Sequence, residues 1–134
     1  MFTVLEDLMQ SPPEFPVRRV YDPPEPADGV RVLVDRLWPR GVSRERAAVD
    51  EWPKELTPSG GLRTAYHHGE IDTAAFRARY RAELGEPAAE AAVRRLLDLA
   101  RGATVTLVTA VKDPGHSHLP VLVEYLRDHP SPES

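Results

Sequence analysis

The chain contains no cysteine among its 134 residues. This absence excludes disulfides, iron–sulfur clusters, zinc thiolate centres and thiol nucleophiles, and it restricts any metal site to His, Asp and Glu. No run approaches the roughly 20 consecutive apolar residues that a membrane-spanning helix needs. The N-terminal stretch MFTVLEDLMQSPPEF also lacks the basic start of a secretion signal. We therefore expect a cytoplasmic protein with no membrane partner.

The chain also lacks an excess of positive charge. Its formal net charge is −4, which argues against a general coat for nucleic acid. A local basic patch nevertheless exists, because Arg36, Arg40, Arg44 and Arg46 follow one another closely. Binding of nucleic acid is therefore less favoured by the composition than binding of a small ligand, although the patch keeps it open.

The length predicts one domain. Residues 1–16 contain three prolines and no sustained period, which indicates a flexible or docked leader, and residues 129–134 form a frayed tail. Between them, residues 17–128 form a single domain. The apolar runs at 17–21, 30–35 and 104–110 predict strands, and the stretches 72–84, 87–102 and 117–127 predict helices. This order predicts a small three-layer α/β domain with a mostly parallel central sheet flanked by helices.

Polar residues follow two of the predicted strands directly. The segment RVLVDRLWPRG at 31–41 runs from an apolar strand into Asp35, Arg36, Trp38 and Arg40, and VTLVTA at 105–110 leads into VKDPGHSH. Ligands of open α/β sheets bind beyond the carboxyl ends of the strands. An anion would meet the backbone amides near Ser117, with Lys112 or Arg36 neutralising its charge.

The arginines and Trp38 also admit structural roles. Arg36 and Arg40 could pair with carboxylates such as Asp35, Asp50 or Glu51 instead of holding a ligand. An aromatic ring between arginines is what a nucleobase platform needs, but Trp38 followed by proline is more often a packing residue.

The histidines leave three interpretations open. His116 and His118 are two residues apart, so an extended loop would point both to one side, where His67, His68 or Asp113 could complete a metal site. One histidine could instead act as a general acid or base or hydrogen-bond a ligand. The third interpretation is capping or packing, which for His67 and His68 means satisfying the last carbonyls of a helix.

The motifs resemble a known family. RVYDPP, RVLVDRLWPRG, DEWPKELTPS, LR, FRARYRAEL, VTLVTAVKD and HSH, in this order, are similar to the YeaO-like branch of the bacterial family called domain of unknown function 488 (DUF488). The resemblance covers residues 17 to 127. It departs at Ser117, where relatives commonly have asparagine, at Val111, where alanine is usual, and around 66–73. The positions that match its motifs are Asp35, Arg36, Trp38, Pro39, Arg40, Gly41, Asp50, Glu51, Trp52, Lys54, Glu55, Lys112, Asp113, His116 and His118.

The resemblance implies a location for a site but no settled reaction or cofactor. Our hypothesis is a pocket for a small anionic or phosphate-bearing ligand, such as a nucleotide. The expected ligand-binding residues are Asp35, Arg36, Trp38, Arg40, Lys112 and His118, and the expected catalytic residues, if a reaction occurs, are Asp113 and His116. The alternatives are a module that binds single-stranded nucleic acid or a protein without catalysis, and a histidine-based metal site.

Overall fold

The computed structural model describes residues 15–129, without the side chain of His116. A small parallel sheet lies at its centre. The strands are β1 (Val17–Arg19), β2 (Val30–Leu33) and β3 (Val105–Thr109), and their order in the sheet is β1-β3-β2. Both neighbouring pairs are parallel. The predicted α/β class is confirmed, and the carboxyl ends of β2 and β3 lie side by side.

Helices connect and follow the strands. The described residues contain α1 (Arg44–Ala47), α2 (Gly60–His67), α3 (Thr73–Leu84), α4 (Pro87–Gly102) and α5 (Leu119–Asp128), together with 3₁₀ turns at Pro26–Asp28, Lys54–Leu56 and Pro114–His116. Side chains cap the first turns of α1 and α3. The Ser43 hydroxyl accepts a hydrogen bond from the first turn of α1, and the Asp72 carboxylate does the same for α3.

The two faces of the sheet are covered unequally. Alternate residues of a strand point to opposite faces, so Val32 and Leu107 lie in a larger core while Leu33 and Val108 lie in a smaller one. The long helices α3, α4 and α5 all contribute their apolar residues to the larger core. The opposite face is covered by Ala47 of α1 and the loops around it. The sheet is therefore covered by helices on one face and by a thin layer made mostly of loop on the other.

An ion-pair cluster around the buried Asp28 links β1 to β2 and to the turn before it. Asp28 accepts hydrogen bonds from the guanidinium groups of Arg18 and Arg31 and from the backbone amide of Glu25. Burial disfavours the charged carboxylate, but these three donors outweigh it and lower the pKa of Asp28 below its usual value. Asp28 is thus an ionised anchor between β1 and β2.

The ends of the domain are packed where they are described. Phe15 is 5% exposed in the larger core, and the carbonyl of Pro16 accepts a hydrogen bond from Leu107. The imidazole of His129 contacts the Glu90 carboxylate. Residues 1–14 of the expected leader and 130–134 of the expected tail lie outside the described residues. Within residues 15–129, every helix is too short or too polar to cross a membrane.

Candidate functional site

The carboxyl ends of β2 and β3 are tied together by Asp35. One oxygen of its carboxylate accepts from the Thr109 hydroxyl at 2.6 Å, and the other accepts from the Ala110 backbone amide at 2.6 Å. The indole of Trp52 donates to the Asp35 carbonyl at 2.7 Å. Both carboxylate oxygens are therefore engaged within the domain, and Asp35 holds the strand ends together.

His118 lies beside this junction, at the start of α5. Its Nε2 is 2.7 Å from the carbonyl oxygen of Val34, and the ring meets Tyr80 edge-on with 6.0 Å between ring centroids. Burial is the main reason why the pKa of His118 is lowered, and the positive charge of Arg63 adds to it. The Val34 carbonyl and Asp35 act in the opposite direction, but they do not reverse the shift. The imidazole is therefore neutral at pH 7.

A cavity of about 460 Å³ opens beside His118. Its walls come from the segment before α2, from α2 and α3, and from the loop between β3 and α5. The lining residues are Pro58, Gly60, Arg63, Thr64, Tyr66, His67, His68, Phe76, Val111, Ser117 and His118. This lining contains one guanidinium group and three imidazoles, and no carboxylate. The cavity is therefore electrostatically suited to an anion.

Helix α2 presents Arg63 to the cavity because its first turn is fixed. The Ser59 hydroxyl accepts from the Leu62 amide at 3.2 Å, and the Glu83 carboxylate of α3 accepts from both the amide and the hydroxyl of Ser59. Arg63 and His67 are four residues apart and thus share one face of the helix. No side-chain hydrogen bond or ion pair within residues 15–129 engages the Arg63 guanidinium.

An aromatic wall completes the cavity. The rings of Tyr66 and Phe76 stack with 4.4 Å between centroids and an interplanar angle of 23°. Phe76 is buried, whereas Tyr66 is partly exposed, and its hydroxyl lies 3.2 Å from that of Thr73. A flat apolar surface therefore stands beside a positive charge.

Arg36 occupies a neighbouring hollow. Its guanidinium donates to the Thr57 hydroxyl at 3.2 Å and to the Pro58 carbonyl at 3.0 Å. That hollow is lined in part by Lys54 and Glu83, and it contains charges of both signs. Pro58 lines the His118 cavity, whereas Arg36 does not.

Trp38 and Arg40 lie apart from the cavity. Trp38 belongs to the smaller core, on the opposite face of the sheet, where its indole donates to the Val42 carbonyl at 2.7 Å. The Arg44 guanidinium lies 4.9 Å from its ring centroid. Arg40 is exposed, and its carbonyl is 3.5 Å from the Tyr21 hydroxyl. Packing, the commoner role for Trp38, is what the structure shows.

The carboxylates that were considered as partners of Arg36 and Arg40 are engaged elsewhere. Glu51 accepts from two of the guanidinium nitrogens of Arg95, at 2.8 and 2.9 Å. Asp50 accepts from the Arg31 backbone amide at 2.9 Å.

The loop after β3 carries the remaining predicted residues. Lys112 and Asp113 are exposed and follow Val111, which lines the cavity. His116 closes a 3₁₀ turn, and its side chain lies outside the described part of the structure. The Ser117 hydroxyl accepts from the Leu119 amide at 3.1 Å, so this amide, which we expected to face an anion, is already bonded.

The metal alternative finds no support in the part of the chain that the structure describes, where no three His, Asp or Glu side chains cluster closely enough to hold an ion. Three residues of the cavity were not predicted from the sequence to contact an anion. Arg63 was given no role, and His67 and His68 were considered for a metal site or for helix capping, yet all three line the cavity. The four-residue spacing of Arg63 and His67 was the available signal.

Comparisons with known proteins agree on a family. The model of the inactive DUF488-N3 subclade, DUF488-N3i, matches residues 14–134. The uncharacterized protein YeaO of Escherichia coli is 47% identical over 110 residues, which are 82% of this chain and 94% of YeaO. The uncharacterized protein Rv3073c of Mycobacterium tuberculosis is 42% identical over 110 residues, 82% of this chain and 91% of its own length. No solved structure matches the chain. The chain therefore belongs to the DUF488 family, as a YeaO-like member of the branch described as its inactive N3 subclade.

Proposed function

We propose that this domain binds a small anionic, phosphate-bearing ligand in the His118 cavity. The observation that carries the proposal is the composition of the lining, which includes the positive charge of Arg63 and the polar nitrogens of three imidazoles but no carboxylate. A guanidinium without an internal partner is the side chain best suited to hold a phosphate or carboxylate group. Lys112, exposed next to the lining residue Val111, would neutralise further charge.

The size and the aromatic wall favour a nucleotide among such ligands. A volume of about 460 Å³ lies within the range of about 300–1,000 Å³ that is usual for small-molecule sites. The stacked pair of Tyr66 and Phe76 offers an apolar surface to a flat ring. A phosphate on Arg63 and a base along this wall would use the two chemically distinct parts of the cavity.

Binding without turnover is the form of the proposal that the family favours, because the subclade is described as inactive. Catalytic roles for Asp113 and His116 remain predictions, as does a direct ligand contact by Arg36, Trp38 or Arg40. A cytoplasmic location likewise remains a prediction, made from the lack of cysteine and of a recognisable secretion signal in the sequence.

Isothermal titration with AMP and with adenosine tests the proposal on the wild-type protein and on Arg63→Gln. We expect AMP to bind the wild type and adenosine to bind much more weakly. Loss of a charged hydrogen bond costs about 1.5–3 kcal/mol, so Arg63→Gln should weaken AMP binding roughly 10- to 150-fold. Arg79→Gln, an exposed position of α3 that does not line the cavity, is the matched control and should bind as the wild type does.

Two results would count against the proposal. The first is a wild-type protein that binds neither AMP nor inorganic phosphate. The second is an Arg63→Gln variant that binds AMP as tightly as the wild type does. If an oligonucleotide instead binds both proteins equally, with a steep dependence on salt, the nucleic-acid alternative gains support.

A further inference from the structure

The hydrogen bond between His118 and Val34 fixes the protonation pattern of the imidazole. A backbone carbonyl accepts hydrogen bonds and cannot donate one, so the nitrogen 2.7 Å from the Val34 oxygen, Nε2, must carry the hydrogen. The lowered pKa keeps the ring neutral at pH 7. A neutral imidazole has only one N–H group, so Nδ1 is left with a lone pair and acts as an acceptor.

Among residues 15–129, no hydrogen-bond donor meets this acceptor. Nδ1 makes no hydrogen bond within the described residues. The nearby hydroxyl groups are directed elsewhere, since Tyr80 donates to the Leu56 carbonyl and Ser117 donates to the Pro114 carbonyl. Among buried side-chain nitrogens and oxygens that the structure describes, only atoms of Arg31 and Arg81 lack a partner, so Nδ1 is not sealed from solvent. The opening that His118 lines is the cavity.

We infer that the cavity selects anions that carry their own O–H or N–H donor next to the negative charge. This inference rests on the proposed function. The anion would face the cationic Arg63, while its donor would meet Nδ1 of His118. Hydrogen phosphate, a phosphate group beside a free hydroxyl, or a hydroxy acid has this chemistry. A fully deprotonated oxyanion such as sulfate does not, because its oxygens would place lone pairs against the lone pair of Nδ1.

Inorganic phosphate and sulfate form the test pair, because both are tetrahedral and similar in size, and at pH 7 only phosphate retains an O–H group. Leaving a buried acceptor unpaired costs enough to weaken binding about tenfold or more. At equal ionic strength, we expect the wild-type protein to bind phosphate at least about tenfold more tightly than sulfate.

Two variants show whether His118 causes this preference. In His118→Phe, a flat ring remains in the place of the imidazole, but it carries no nitrogen and therefore no acceptor that could replace Nδ1. The ratio of the two affinities should therefore fall to about one. His67→Gln removes another imidazole of the same cavity and should keep the preference.

Long-range proton–nitrogen correlation spectra of the wild type give a measurement that needs no variant. The Nδ1 resonance of His118 should be that of an unprotonated nitrogen and should shift when phosphate, but not sulfate, is added. A protonated Nδ1, equal affinity of the wild type for both anions, or a full preference retained by His118→Phe overturns the inference while leaving anion binding in place. Failure of the wild type to bind either anion overturns the inference together with the proposed function.

Discussion

Replacing Asp35 by asparagine tests whether this residue holds the sheet together or contacts a ligand. Its carboxylate accepts two hydrogen bonds of 2.6 Å, one from the Thr109 hydroxyl and one from the Ala110 amide. An asparagine side chain has one acceptor oxygen and one NH₂ group. If the oxygen stays on the Ala110 amide, the NH₂ group faces the hydroxyl of Thr109, which is already an acceptor for the Val111 amide.

The expected loss of stability follows from the loss of this one acceptor. The Thr109 hydroxyl loses its charged partner, and a hydrogen bond to a charged group is worth about 1.5–3 kcal/mol. For a chain of this length, 1 kcal/mol corresponds to a change in melting temperature of about 3–5 °C. We therefore expect Asp35→Asn to lower the melting temperature by about 5–15 °C.

Calorimetric or fluorescence melting, followed by titration with inorganic phosphate below the transition, separates the two roles. The structural role predicts a large loss of stability and an unchanged affinity for phosphate. Asp98→Asn, which alters an exposed carboxylate 3.6 Å from Arg101, is the control and should melt close to the wild type. An Asp35→Asn protein that melts normally but no longer binds phosphate would refute the reasoning and assign Asp35 to the ligand.

Two further predictions concern stability. Because burial keeps the pKa of His118 below its ordinary value of 6.5, the unfolded chain takes up the proton first as the pH falls. The free energy of unfolding that the neutral ring contributes is therefore present above about pH 6.5 and lost below it. In urea titrations above and below this pH, the free energy of unfolding should fall less for His118→Gln than for the wild type. Asp28→Asn should lower the free energy of unfolding by about 3–5 kcal/mol, because it leaves the buried guanidinium of Arg31 without its counter-ion; an unchanged urea midpoint would contradict this.

Local signals in the sequence predicted the elements of the fold well. Asp72 before α3, the four-residue spacing of Phe76, Tyr80 and Leu84, and Gly85 after the helix define α3 with its observed cap and end. These signals succeed because a helix end is determined by the side chains within one turn of it. The meeting of two strand ends was also predictable, since parallel strands place their carboxyl ends at the same edge.

The composition of the cavity depends on contacts between distant segments, which local signals do not contain. Ser59 is bonded to Glu83, and this contact orients the helix that carries Arg63. Trp38 stands only three residues after Asp35, but its ring packs on the opposite face of the sheet. A position just after a strand therefore predicted the edge of the sheet near which a side chain lies. It did not predict on which face of the sheet the side chain packs.

The position of His118 is explained by a hydrogen bond that is missing from the end of the sheet and replaced by one from its imidazole. The Val34 amide donates to the Val108 carbonyl, which continues the parallel ladder by one residue. In that ladder the next bond would run from the Ala110 amide to the Val34 carbonyl. Asp35 takes the Ala110 amide instead, so the Val34 carbonyl is left without a backbone donor, and the imidazole supplies one. Asp35 thus acts on the cavity indirectly, because it frees the carbonyl that sets which nitrogen of His118 is the acceptor.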